Sequence, residues 1–137
     1  MSMLAREIAQ DMEERGLGIF TTDDPTTRTI FVGEVPADVN EYILIVPVPS
    51  PPPHQYIDTE YPIVDIWSRS AHSDRAYAKL ETAYETYHRR HHYQLNNWWI
   101  ELSRALGNIT DADRDLEGGK LFRLSVQFIC RNLNHIS

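Results

Sequence analysis

The stretch from Glu60 to Tyr93 constrains the fold of this chain more than any other part of it. Residues 63 to 67 alternate between two faces and include β-branched side chains, which predicts a strand. The following residues place an apolar stripe at the spacing of a 3.6-residue helical period: Ala76, Leu80, Ala83 and Tyr87. About three or four residues separate the strand from the helix, so we expect them to pack as one β-α unit.

The ends of this helix are predicted from its charged residues. Ser73 is expected to act as the N-cap, and Asp74 falls in the first turn, where negative charge suits the helix dipole. The segment from His88 to His92 is rich in basic and titratable groups, which are favoured in a last turn. We therefore predict that the helix extends through these histidines.

Length and composition limit the class of protein. The chain has 137 residues, which predicts one domain over residues 1–137, and 42% hydrophobic residues, which is enough for a core. Its 20 acidic and 13 basic residues give a net charge of −7, which argues against a protein whose main task is to grip nucleic acid. A single cysteine excludes an internal disulfide, and the lack of a long apolar run predicts no membrane-spanning helix.

The remaining elements follow from local patterns. Residues 2–15 are amphipathic and precede Gly16, which predicts a helix that stops there. Short strands are expected at 29–32 and 42–48, and the segment Gly107 to Gly119 is expected to be a polar, acidic loop. Residues 95–106 carry Trp98, Ile100 and Leu102 at a period of two, which favours a strand, although a helical stripe also fits this segment.

The last segment is the clearest strand, with one apolar and one polar face between residues 122 and 130. The resulting order is α-β-β-β-α-β-β. This order predicts an α+β fold, in which a mostly antiparallel mixed sheet carries two helices packed on one face. Nine residues are predicted to be largely buried: Leu4, Ile8, Ile45, Val64, Ile66, Leu80, Leu124, Val126 and Phe128.

A proline-rich segment at 47–56 interrupts the pattern of strands. Four of the eight prolines lie between Pro49 and Pro53, which predicts an extended polyproline II conformation and a rigid projecting loop. Candidate contacts with other protein chains in this part of the chain are Pro51, Pro52, Pro53, His54 and Tyr56. Trp99 is a further candidate, since one of the two adjacent tryptophans is expected in the core and the other at an interface.

No motif in the sequence predicts catalysis or a metal site. The acidic run from Asp111 to Glu117 resembles a calcium loop, but Leu116 and Phe122 occupy the positions that require Gly and Glu. His88 and His92 have the spacing of a zinc pair on a helix, but Arg89 stands where a metalloprotease has Glu.

Other reactive side chains also lack a supporting pattern. Asp58, Glu60 and Asp65 have nothing nearby that marks them for acid–base chemistry. Cys130 continues the apolar face of the last strand, which favours an inert core thiol over a nucleophile. The sequence therefore predicts no catalytic residues and no cofactor.

Several stretches resemble a known family. The helix MLAREIAQDMEERGLG, the strand IFVGEVP, the β-α unit YPIVDIWSRSAHSDRAYAKLETAYETYH and the closing GGKLFRLSVQFICR are similar to the tail terminator, or tail-completion, proteins of long-tailed bacteriophages. These are also described as minor capsid or head–tail joining proteins. The resemblance covers most of the chain and rests on loose patterns.

The resemblance implies a structural virion protein and not an enzyme. Such proteins form a ring, commonly a hexamer, that caps the tail tube, stops its polymerisation and offers a surface to the head connector. The implied partners are other copies of this chain, the tail tube protein and the head connector. The implied location is the head–tail interface of a virion assembled in the host cytoplasm. Six copies would carry about −42, and such a lumen would let DNA pass without specific binding.

Two alternatives belong to other classes of protein. One is a small metal-dependent hydrolase that uses His88 and His92, which stoichiometric metal in the purified protein would favour. The other is a monomeric adaptor whose proline segment binds a groove in a partner, as polyproline II ligands do.

Overall fold

The computed structural model describes residues 3–49, 59–114 and 119–133. Helices α1 and α2 span Leu4–Glu14 and Ser73–Tyr87, and a short 3₁₀ turn spans Pro25–Thr27. The strands, in chain order, are β1 Ile30–Val32, β2 Tyr42–Val48, β3 Ile63–Ser70, β4 Arg90–Leu95, β5 Trp98–Ala105, β6 Thr110–Arg114 and β7 Lys120–Asn132.

These strands form one mixed sheet with the order β1-β2-β3-β7-β5-β4, and β6 pairs with β7 beside this path. All pairs are antiparallel except β1 with β2. The long strand β7 lies at the centre. Its residues 120–127 pair with β3 on one side, while residues 120–123 pair with β6 and residues 126–132 with β5 on the other. The predicted α+β class and the predicted order of elements are confirmed, and the structure adds β4 and β6.

Both helices pack on the same face of the sheet and share one apolar core. Helix α2 contacts β3, β5 and β7, whereas α1 contacts β1, β2 and β4. All nine residues predicted to be buried have less than a tenth of their surface exposed, and Ile8, Leu80 and Phe128 have none. The periods of the sequence therefore identify the core correctly.

Helix α1 ends where the sequence predicts. Gly16 has a φ of 80°, a left-handed conformation that glycine adopts without steric cost. The carboxylate of Glu13 then accepts hydrogen bonds from the backbone N–H groups of Phe20 and Thr21, at 2.7 and 2.9 Å. These bonds lower the pKa of Glu13 and hold the chain against the helix after the turn.

The predicted end of helix α2 is wrong. The helix stops at Tyr87, because His88 has an extended ψ of 123° and Arg89 has a left-handed φ of 58°. His91 and His92 lie on strand β4 instead of in a last helical turn. The predicted N-cap is also wrong by one residue, since His72 occupies that position and makes no side-chain capping bond.

Two predicted segments, residues 107–119 and 95–106, differ in part from the structure. Residues 110–114 of the predicted acidic loop form β6, in which Thr110 pairs with Arg123 and Asp111 with Phe122. The strand favoured at 95–106 is confirmed as β5, although a turn at Asn96 and Asn97 separates it from Leu95, which ends β4. The helical alternative for this segment is wrong. A bulge beyond Ile100 then moves Leu102 away from the core and places Ser103 in it.

Candidate assembly surfaces

One face of the sheet carries no helix from the described part of the chain, and it is the first candidate for a functional surface. The side chains on this helix-free face alternate with the core residues along each strand. They are partly exposed and include Leu44, Trp67, Trp99, Leu102, Arg123 and Ile129. Trp67 lies opposite Arg123, whose guanidinium carbon is 5.4 Å from the centre of the indole ring. Leu102 lies opposite Ile129, so this pair extends the apolar area towards β5.

The helix-free face carries residue types that are common in protein interfaces, beside polar side chains such as Asp65, Ser125 and Gln127. Tryptophan and arginine are enriched in interfaces, and they supply most of the residues whose truncation weakens binding strongly. The stacked pair Trp67–Arg123 is preorganised, since the sheet register fixes both backbones. This arrangement is suited to contact with another protein.

Trp99 lies on the helix-free face, whereas its neighbour Trp98 is in the core, as the alternation of a strand predicts. The indole N–H of Trp99 donates a 2.7 Å hydrogen bond to Glu101. The same ring stacks on His92 at a centroid distance of 6.3 Å, and Nε2 of His92 lies 3.4 Å from the Glu101 carboxylate. These contacts fix the ring of Trp99 near the edge strand β4.

The other predicted contact residues, Pro51, Pro52, Pro53, His54 and Tyr56, lie outside the described residues, as does Asp58. The described residues on either side show where this segment is attached. Strand β2 continues through Pro47 to Val48, and Val48 pairs with Ile63. Glu60 exchanges two backbone hydrogen bonds with Cys130, at 2.7 and 3.0 Å. The proline segment therefore starts and ends at one end of the β2–β3 hairpin.

The structure separates the histidines that the sequence proposed as a metal pair. Nδ1 of His88 accepts a 3.1 Å hydrogen bond from the backbone N–H of Ala105, and its ring stacks on Tyr84. His92 lies on β4 and points to Trp99 and Glu101. The two side chains therefore do not share a helix face. Within the described ranges, no group of three or more His, Cys, Asp or Glu side chains is placed to hold a metal ion.

Cys130 is fully buried in the core, opposite Ile100 of strand β5. Burial raises the pKa of its thiol to about 12, and the charge of Glu60 acts in the same direction. A thiol with such a pKa stays protonated at neutral pH, so Cys130 is a packing residue.

Two grooves of opposite charge lie on opposite flanks of helix α1. The first has a volume of about 400 Å³ and borders the edge strand β4; we call it the acidic groove. It is lined by Glu7, Gln10, Asp11, Glu14, Gln94, Leu95 and Asn96. The carboxylate of Asp11 accepts hydrogen bonds from Nε of Arg15, at 3.0 Å, and from the phenol of Tyr87, at 2.7 Å.

The second groove has a volume of about 500 Å³ and borders the edge strand β1; we call it the basic groove. It is lined by Arg6, Phe20, Arg28, Phe31, Val32, Glu34, Val35 and Pro36. The guanidinium carbons of Arg6 and Arg28 lie 5.5 and 5.9 Å from the centre of the Phe20 ring. Nε of Arg28 is buried, and no described residue offers it a hydrogen-bond acceptor.

Neither described helix has the length and apolar character that crossing a membrane requires. A two-layer α+β fold whose helix-free face partly exposes tryptophan and arginine is suited to a protein that contacts other protein chains. A family model described as bacteriophage tail terminator protein matches residues 11–132, from the middle of α1 to the end of β7. The chain therefore belongs to the bacteriophage tail terminator family and is a structural protein of a phage tail. A search of curated proteins gave no match.

Sequence reasoning singled out Trp99 and missed Trp67, Arg123, Arg6 and Arg28. Trp67 and Arg123 could have been found from the sequence, because they alternate with the core residues of β3 and β7, the two most regular strands. No local pattern joins Arg6 to Arg28, because Phe20 brings them together only after the chain turns back at Gly16.

Proposed function

We propose that this protein closes into a ring on the end of the phage tail tube, stops its polymerisation and presents a surface to the head connector. The helix-free face carries this proposal, because it offers a partly exposed tryptophan, its stacked arginine and an aliphatic pair to another protein. In this proposal the helix-free face binds the end of the tail tube. The protein has no catalytic role in this proposal.

A partner on the helix-free face would gain from both apolar burial and charge. Sheet pairing fixes the backbone at Trp67, Leu102 and Ile129, so docking does not have to order the backbone there. Arg123 is already stacked on Trp67 and can bind a carboxylate of the partner through its free edge. These features favour an apolar tube surface that carries acidic groups.

The ring form is supported by the edge strands β1 and β4, which, like the short strand β6, each pair with one strand among the described residues. Unpaired edges favour aggregation unless they are covered, and contacts between neighbouring copies would cover them. A ring needs heterologous contacts that close, in which two different surfaces of one chain meet in each interface. The proposed location is the head–tail interface of the virion, after assembly in the host cytoplasm, with DNA passing through the lumen without specific binding.

The proposed contact set also includes Trp99 and the proline segment at 47–56. Trp99 is fixed beside the edge strand β4 by Glu101 and His92. The proline segment is attached at the end of the β2–β3 hairpin, where a projecting contact would not disturb the core.

The double substitution Trp67→Ala with Arg123→Ala tests the role of the helix-free face. Phages that lack the terminator gene are complemented with this variant, and tail lengths are measured by negative-stain electron microscopy. We expect overlong tails that fail to join heads, since the tube end is no longer bound. Tyr77→Ala is the matched control, because Tyr77 is an exposed aromatic residue on helix α2.

Urea unfolding of the purified variant establishes that it folds before the tails are scored. A folded variant that gives tails of normal length joined to heads would show that the helix-free face does not bind the tube. A purified wild-type protein that neither forms a ring nor binds tube ends would contradict the proposed function itself.

A further inference from the structure

We propose that the basic groove of one copy binds the acidic groove of the next copy, and that this contact closes the ring. The inference rests on the proposed function, which requires a ring, and it names the two surfaces that meet. It is carried by two features of the described residues: two arginines without an ion pair on one flank of α1, and two carboxylates without an ion pair on the other.

The basic groove holds two cations around one aromatic ring. Arg6 and Arg28 both approach Phe20, and neither forms an ion pair with any described residue. Two guanidinium groups that share a ring repel each other, and a bound carboxylate relieves that repulsion. The buried Nε of Arg28 still has a hydrogen to donate. Glu34 is the single carboxylate among the groove-lining residues, and it is exposed.

The acidic groove has the complementary charge. Glu14 is exposed and has no ion pair among the described residues, while Glu7 accepts only a 3.2 Å hydrogen bond from the amide of Asn96. Asp11 is already engaged by Arg15 and Tyr87, so it is not part of the proposed contact. Glu7 and Glu14 are seven residues apart on α1, which places them on one side of the helix and roughly 10 Å apart along its axis.

The position of the two grooves favours a second copy of this chain over an unrelated acidic protein. They lie on opposite flanks of the same helix, so an interface between two copies uses the basic groove of one and the acidic groove of the other. The two remaining grooves stay available for further copies. Such a head-to-tail contact repeats until the ring closes. It also brings the edge strand β1 of one copy towards the edge strand β4 of the next, which covers both edges.

The test uses two charge-reversed variants and their mixture. The first variant is Arg6→Glu with Arg28→Glu, and the second is Glu7→Lys with Glu14→Lys. Each variant alone sets like charges against each other, so we expect its self-association to be roughly tenfold weaker or more. A 1:1 mixture restores opposite charges at every interface, and it should form alternating rings with an even number of copies.

Native mass spectrometry measures the assemblies of each variant and of the mixture. Where the wild type assembles only on a tube end, co-sedimentation with purified tail tubes is the measurement. The control Glu81→Lys with Glu85→Lys makes the same charge change as the second variant, but on exposed positions of helix α2. It should assemble as the wild type does. The fourfold variant, with both grooves reversed in one chain, should also assemble, which shows that the substituted chains fold.

Each outcome decides between the two hypotheses. Variants that assemble as well as the wild type would overturn the assignment of the grooves while leaving the ring intact. A mixture that stays unassembled while both variants are folded would do the same. A wild type that forms no ring alone or on tubes would instead contradict the proposed function.

Discussion

The phenol of Tyr87 donates a 2.7 Å hydrogen bond to the carboxylate of Asp11, and this bond joins the last residue of helix α2 to helix α1 across 76 residues of sequence. Tyr87 is fully buried. Burial and the charge of Asp11 both raise the pKa of Tyr87 well above its ordinary value, so the phenol remains a donor at all physiological pH values. The backbone carbonyl of Tyr87 also accepts a hydrogen bond from Ser103 on β5, at 2.7 Å.

The substitution Tyr87→Phe removes this bond and leaves the ring in place. We expect the free energy of unfolding to fall by about 2 kcal/mol, because the lost bond has a charged acceptor. Urea unfolding measures the change, and Tyr77→Phe at an exposed position is the control. A loss below about 0.5 kcal/mol would show that the bond does not brace the two helices.

Leu80 tests the packing of helix α2 on the sheet. Its side chain is fully buried at the centre of the apolar stripe. Leu80→Ala should lower the free energy of unfolding by about 2–5 kcal/mol, through lost transfer energy and a cavity. Glu81→Ala, at the next and exposed position, should change it by less than about 0.5 kcal/mol. Equal effects of the two substitutions would contradict the packing.

Cys130 makes the stability depend on pH in the alkaline range. Its pKa is raised to about 12 by burial, whereas a thiol in an unfolded chain ionises near about 8.5. The unfolded chain therefore loses this proton first, so the stability that the buried thiol provides is complete below about pH 8.5 and falls as the pH rises towards 12.

We expect the free energy of unfolding of the wild type to fall by about 2 kcal/mol more than that of Cys130→Ala between pH 7 and pH 10. Urea unfolding of both proteins at the two pH values measures this difference. Iodoacetamide should label the thiol only after unfolding. Rapid labelling of the native protein at pH 8 would contradict the burial of the thiol.

The regular periods of the sequence predicted most of the fold, and the failures occur where strand pairing or backbone conformation decides. Strands β3 and β7 were predicted because their apolar residues alternate against a buried face. The end of helix α2 was missed, since Arg89 adopts a left-handed conformation that usually belongs to glycine or asparagine. Strand β6 was missed because its polar residues gain their strand structure only by pairing with β7.

The candidate site was less predictable than the fold. Trp99 was found by its position beside Trp98, which faces the core. The two charged grooves were not predictable, because Arg6, Phe20 and Arg28 come together through two turns of the chain. The net charge of −7 does not indicate the basic groove either. It does not show that Arg6 and Arg28 lie without acidic partners among the described residues.

We predict that the protein contains no structural zinc. His88 already accepts the N–H of Ala105, and His92 is held by Glu101 and Trp99. Elemental analysis of the purified protein should find far less than one metal ion per chain, and a chelator should leave the thermal midpoint unchanged. One zinc ion per chain that disappears on His88→Ala would contradict this prediction.

The proline segment gives the last prediction, since strand pairing fixes the described residues on either side of it. Val48 pairs with Ile63, and Glu60 pairs with Cys130, so a shorter connection at the end of the hairpin can join the same strands. Replacing residues 50–55 with a short Gly-Ser turn should therefore leave the domain folded, as measured by urea unfolding. It should weaken ring formation or tail capping, because prolines preset an extended contact that loses little entropy on docking. Tail lengths in complemented phage measure this effect. A shortened protein that caps tails as efficiently as the wild type would show that the segment is a passive connection.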